Sequence, residues 1–142
     1  MRAFEFLTEA KKPSLPSDST PPTVAILICD LFIESYKARS TVPGVKDRLK
    51  EFITQKMANP TAKFGKDDKP FVDVIPATHA KLTSNISIVY TLSGANPKLI
   101  KLYGVFTHDD IGTGQPPNQK RQKNIAAKMS NQTFTQVDPA RI

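Results

Sequence analysis

Residues 85–108 read NISIVYTLSGANPKLIKLYGVFTH, two apolar segments joined by a short polar one. The segments 85–92 and 98–106 are rich in β-branched and aromatic residues, which favour strands. The residues between them, SGANP, are typical of turns because Gly, Asn and Pro suit the backbone angles that turns require. The pattern therefore predicts a β-hairpin.

Upstream of this hairpin, the sequence predicts one strand and two helices. Residues 23–29, TVAILIC, are almost entirely apolar, which is typical of a strand buried on both faces. A helix over 31–39 follows, with Asp30 as its N-cap. A second helix over 45–58 carries apolar residues on one stripe and charged residues on the other.

The remaining segments predict one further strand and one further helix. A polar loop over 61–70 follows the second helix, and the next strand lies either in 71–75 or in 77–82. After the hairpin, a segment rich in Gly and Pro precedes a basic helix over 118–129.

The chain divides into three parts by composition. Residues 1–22 hold four of the 12 prolines among serines and threonines, which predicts a flexible arm. Residues 23–130 form the predicted domain, and residues 131–142 a polar, frayed C-terminal tail. The element order predicts an α+β fold with the helices on one face of the sheet: two N-terminal helices packed on an antiparallel sheet of about four strands, and a basic helix at the C-terminus.

The charge of the chain favours a polyanionic partner. Its net charge is +7, from 20 Lys and Arg against 13 Asp and Glu, in a chain of 142 residues. Residues 111–137 contain no acid, and four cations lie within them: Lys120, Arg121, Lys123 and Lys128. We interpret these four as an RNA-binding surface. The alternative is a solvated helix face.

The cysteine content and the hydropathy narrow the class of protein further. A single cysteine, Cys29, excludes an intrachain disulfide and a cysteine-based metal cluster. No apolar segment has the length of a membrane span, and the N-terminus lacks the pattern of a secretory signal. We therefore expect a cytoplasmic protein with no membrane association.

Two histidines are the strongest candidates for chemistry. The sequence has no nucleotide-binding glycine motif, no hydrolase nucleophile motif and no H-E-x-x-H zinc motif. His79 and His108 are its only groups that titrate near neutrality without a perturbed pKa. Each lies at the end of a predicted strand, where the two could meet, and Lys81 shares the face of His79. The alternative is that both are ordinary strand-end histidines.

Two histidines and a lysine could cleave RNA without a cofactor. The reaction needs a base for the ribose 2′-hydroxyl, a cation near the phosphate and an acid for the leaving 5′-oxygen. A metal site at His108, Asp109 and Asp110 is a second possibility. It requires a turn, because adjacent residues on a strand point to opposite faces.

The residues KL at 81–82, NISIVY at 85–90 and KLYGVFTHDD at 101–110 resemble the last strands of the YafQ-like branch of the RelE/ParE toxin superfamily. The turn 42–44, the helix after it and the loop around 64–67 are similar in layout. The resemblance implies a RelE-like fold that cleaves mRNA on the ribosome without a cofactor and is inhibited by an antitoxin protein.

The resemblance also implies roles for particular residues. His108 matches the strand-end catalytic histidine of the family. Lys81 and Asn85 stand where YafQ-type proteins carry His and Asp, and His79 is a candidate to substitute for the missing base. Lys81 and Tyr103 could take the roles that Lys and Tyr have in RelE-type relatives, and we assign Asp109 a supporting role.

The sequence thus predicts a toxin-like endoribonuclease in which His108 moves a proton and Lys81 stabilises phosphate charge. A first alternative is a non-catalytic or ParE-like member of the fold that binds nucleic acid or a protein target. A second is a protein of a mobile element or virus that has retained the fold for another purpose.

Overall fold

The computed structural model describes residues 24–71, 75–93, 99–112 and 118–142. Within these ranges the fold is α+β, with three α-helices and a sheet of six strands. In chain order the elements are β1 (Ala25–Ile28), α1 (Asp30–Arg39), α2 (Val45–Ala58), β2 (Lys69–Pro70), β3 (Thr78–Lys81), β4 (Ile86–Ser93), β5 (Leu99–Thr107), α3 (Gln119–Ser130) and β6 (Thr135–Val137). A short 3₁₀ turn, Pro139–Arg141, follows β6.

The sheet is mixed, with the strand order β2-β3-β4-β5-β1-β6. Strands β2 to β5 pair antiparallel in succession, whereas β1 pairs parallel with β5, Ala25 lying opposite Leu99. The prediction of an antiparallel sheet of about four strands is therefore wrong in both respects. Parallel pairing is possible because a long connection, which includes both N-terminal helices, separates β1 from the later strands.

Helices pack on both faces of the sheet, and the prediction that they share one face is wrong. Ile88 and Val89 are neighbours on β4, yet they belong to two different apolar clusters. The buried apolar side chains of α2 join the cluster of Ile88, and Ile125 and Met129 of α3 join the cluster of Val89. Successive side chains on a strand point to opposite faces. We call these sides the α2 face and the α3 face.

Local patterns predicted the helices well. α2 has the predicted bounds, and Gly44 before it has a φ of 89°, a left-handed conformation that glycine adopts without strain. α1 begins at Asp30 itself, so its N-cap is Cys29, which makes no side-chain capping bond. None of the helices in the described ranges is long and apolar enough to cross a membrane.

Two further segments differ from or refine the prediction. Of the two candidate positions for the next strand, 77–82 contains β3, and residues 72–74 lie outside the described part. The tail was predicted to fray, but Thr135–Val137 forms β6 against β1. The predicted arm over 1–22, most of the hairpin loop and residues 113–117 lie outside the described residues.

A buried ion pair anchors the loop between α2 and β2. The Lys56 ammonium group lies 2.8 Å from Oδ2 of Asp68, and both side chains are 2% exposed. Lys56 also donates a hydrogen bond to the carbonyl of Ala62 at 2.5 Å. The same Asp68 carboxylate accepts hydrogen bonds from the Phe64 N–H at 2.7 Å and from the Tyr90 hydroxyl. The loop is thereby tied to both α2 and β4.

We expect Asp68→Ala to lower the free energy of unfolding by about 3–5 kcal/mol, because it leaves the Lys56 charge buried without its partner. The neighbouring Asp67 is the matched control. Its pairing with Lys81 is long, at 3.7 Å, and partly exposed to solvent, so Asp67→Ala should cost under about 1 kcal/mol. Urea denaturation of both variants measures the difference. Equal losses would show that the buried pair does not anchor the loop.

Candidate active site

The α3 face of the sheet is apolar near α3 and polar near β3. Val89 and Phe106 pack there against Ile125 and Met129 of α3. On β3, His79 lies opposite Val89 and Lys81 lies opposite Ser87. Since directly opposed residues on paired strands share a face, these polar side chains belong to the α3 face.

His108 joins this polar region from the end of β5. Its backbone N–H donates a hydrogen bond to the Asn85 carbonyl at 3.1 Å, which continues the pairing of β4 with β5. Its ring nitrogen Nε2 lies 3.4 Å from the Ser87 hydroxyl, so the ring lies at the α3 face. Burial, and then the charge of Lys81, lower the pKa of His108 below 6.5 against the opposing charge of Asp67.

His79 is more enclosed than His108. Its ring lies 4.5 Å from the ring of Phe71, centroid to centroid. Its Nδ1 atom is buried and has no hydrogen-bond partner within the described ranges. Burial, then the charges of Lys69 and His108, lower the pKa of His79 below 6.5, although Asp68 and Asp67 oppose the shift. The charge of His108 thus disfavours protonation of His79.

The anchored loop supplies two more charges to this region. Lys69 of β2 is the cross-strand partner of His79. Asp67 approaches Lys81, with 3.7 Å between Oδ2 and Nζ. The structure thus brings together His79, Lys81, Ser87 and His108, which we call the histidine cluster, with Asp67 and Lys69 at its margin.

Sequence reasoning missed three of these residues. Ser87 could have been found from the register of β3 on β4, because it lies opposite Lys81. Asp67 and Lys69 belong to a polar loop with no motif. Only the burial of Asp68 between them explains why they are held near the cluster.

The structure places the other predicted site residues away from this cluster or at its edge. Asp109 is exposed and forms a 2.7 Å ion pair with Arg121 of α3. Tyr103 lies earlier on β5, with its ring edge-on to Phe134 at 4.9 Å. Asn85 is exposed and meets His108 through its backbone carbonyl.

The metal-site alternative fails on geometry. His108 approaches Ser87, Asp109 pairs with Arg121, and Asp110 pairs with Arg39 at 2.5 Å. The three adjacent side chains thus diverge. Within the described ranges, no three His, Cys, Asp or Glu side chains form a group that could hold a metal ion.

The four predicted RNA-binding cations all lie on α3 and are exposed. Asn118 caps this helix, its side chain accepting a hydrogen bond from the N–H of Arg121 at 3.1 Å. The first turn of α3 contains no acid. Of the four, Arg121 is held by Asp109, and no ion pair with Lys120, Lys123 or Lys128 occurs in the described part of the chain.

We expect the two histidines to make the protein less stable in mild acid. The unfolded chain takes up protons at both imidazoles as the pH falls through 6.5, whereas the folded chain takes them up only at lower pH. The free energy of unfolding should therefore fall as the pH drops below 6.5. Urea denaturation at a series of pH values measures it. The double variant His79→Gln/His108→Gln should lose this dependence, and an unchanged profile would contradict the pKa shifts.

Neither a scan against models of protein families nor a search of curated proteins finds a match to this chain. Its function has to be inferred from its own residues.

Proposed function

We propose that this protein is an endoribonuclease that cleaves mRNA by acid–base chemistry at the histidine cluster. The observation that carries the proposal is the placement of His79, His108 and Lys81 on one face of the sheet. Groups that can move protons and a cation that can face a phosphate are the set that ribose-assisted cleavage of RNA requires.

The electrostatics of the cluster suit a general base. Because their pKa values are lowered, both imidazoles are neutral at neutral pH and can accept a proton. A neutral His108 takes the proton of the 2′-hydroxyl as its oxygen attacks phosphorus. The bond from phosphorus to the 5′-oxygen breaks, and that oxygen takes a proton from the second acid–base group.

A bound phosphodiester also favours the acid form of the second group. Its negative charge raises the pKa of nearby imidazoles, so a larger fraction of the second group is protonated at neutral pH. His79 is the candidate for this role because it shares the α3 face of the sheet with His108. Lys81, exposed beside His108, stabilises the negative charge on the phosphate oxygens.

The resemblance to YafQ-like toxins is the sole support for three parts of the proposal: the toxin family, the action on the ribosome and the antitoxin partner. A net charge of +7 supports a nucleic-acid substrate in general. In this proposal, Lys120, Arg121, Lys123 and Lys128 on the exposed part of α3 contact ribosomal RNA, while the histidine cluster holds the mRNA strand.

We expect His108→Gln to slow cleavage by about 10²–10⁴-fold, the usual contribution of a general acid or base. Stability at neutral pH should change little, because His108 lies just after the end of β5 and is only partly buried. Single-turnover cleavage of mRNA on programmed ribosomes gives the rate, and a thermal melt of the same preparation gives the stability.

Asp109→Asn is the matched control for this experiment. Asp109 is the adjacent residue, but its carboxylate pairs with Arg121 and lies outside the histidine cluster, so its variant should cleave within about threefold of the wild type. Full activity of His108→Gln would contradict the proposal. RNA binding without cleavage by the wild type would favour a non-catalytic binding module.

A further inference from the structure

A cavity of about 370 Å³ lies between α1 and α3. The ion pair between Asp110 and Arg39 lies in its wall. Arg39 of α1 and Arg121, Asn124 and Lys128 of α3 line it, and Phe106 and Ile125 contribute apolar surface. Ligand sites of proteins begin at about 300 Å³, so the cavity has room for a phosphate group with an attached sugar.

Positive charge dominates the lining. Three cationic side chains line the cavity against one carboxylate, that of Asp110, although Arg39 already pairs with Asp110 and Arg121 with Asp109. Burial raises the pKa of Asp110, but hydrogen bonds from Arg39 and Thr107 outweigh it and hold the pKa below its usual range. Asp110 is therefore ionised and held by groups on α1 and β5. Lys128 has no ion-pair partner in the described part of the chain, so its charge is available to a ligand.

The hydrogen bonding of Arg39 also indicates a missing acceptor. Its Nη2 atom donates to Asp110, whereas its Nε atom is buried and has no acceptor within the described ranges. A buried donor without an acceptor is costly, and an oxyanion in the cavity would remove that cost. Arginine presents its donors in a fork that matches phosphate oxygens, and Lys128 adds a second charge.

We propose that this cavity binds a phosphate group. Two sources share this chemistry: a phosphodiester of an RNA strand, or the phosphate of a free ester such as a nucleotide. The RNA source rests on the proposed function. The segment 107–112 carries His108, which belongs to the histidine cluster, and Asp110, which lines the cavity, so one RNA strand would cross both sites. The cavity itself is separate from the histidine cluster.

Inorganic phosphate is the first probe, compared with chloride at equal ionic strength. Phosphate at about ten times its Kd should raise the melting temperature of the wild type by about 3 °C. Lys128→Gln should lose most of this rise. Lys37→Gln, an equal change of charge on α1 at an exposed position outside the cavity, should keep it.

A fluorescently labelled single-stranded RNA of about 12 nucleotides, followed by anisotropy, distinguishes the two sources. If RNA is the ligand, Lys128→Gln should weaken binding about tenfold and Lys37→Gln less than about threefold. If phosphate protection depends on Lys128 but the two variants bind RNA equally, the cavity holds a free phosphate ester.

The proposal is overturned if phosphate stabilises the wild type no more than chloride does. It is also overturned if Lys37→Gln loses as much protection as Lys128→Gln, because that result assigns the effect to the general charge of the protein. Neither measurement depends on cleavage. If the endoribonuclease proposal fails, the phosphate result is therefore unchanged, and the failure of one proposal can be told apart from the failure of the other.

Discussion

The burial of Asp68 is the constraint on which the position of the candidate site depends. Its carboxylate is enclosed by Lys56 of α2, the Phe64 backbone and the Tyr90 hydroxyl. A buried carboxylate without these partners would cost several kcal/mol, so the loop has one favourable position. Asp67 and Lys69 adjoin Asp68 in the chain, and fixing Asp68 also fixes their charges beside Lys81 and His79.

The electrostatic balance of the histidine cluster follows from this arrangement. Lys69 lies opposite His79, and the charge of Lys81 acts on His108, against the opposing charges of Asp67 and Asp68. Together with burial, the two lysines keep both imidazoles neutral. A site with neutral imidazoles beside lysine side chains suits an anionic substrate whose proton must be removed.

Local patterns in the sequence predicted most of the helices and the long strands. The apolar stripe of α2 and the turn residues on either side of it determine that helix without reference to the rest of the chain. The positions of β1 and α3 depend on long-range contacts. The buried stripe of α3, Ile125 and Met129, would suit either face of the sheet, and only the structure shows that it covers Val89 and Phe106. The residues of β6, Thr135–Val137, are too few to show a pattern.

In the candidate site, too, local patterns predicted some residues, and long-range contacts determine the others. The alternation of side chains along a strand placed Lys81 with His79, and the end of a strong strand singled out His108. Asp109 and Tyr103 could not be assigned from the sequence, because the partners that hold them, Arg121 and Phe134, come from α3 and the segment after it. Ionic contacts between distant segments leave no periodic signal.

The central claim is that His79 and His108 form one electrostatically coupled pair. NMR titration of their imidazole signals in the intact protein tests it directly. We expect both histidines to titrate below pH 6.5, and we expect His108→Gln to raise the pKa of His79 by removing the charge that disfavours its protonation. Independent titration of both near 6.5, with no response of His79 to the substitution, would contradict the account.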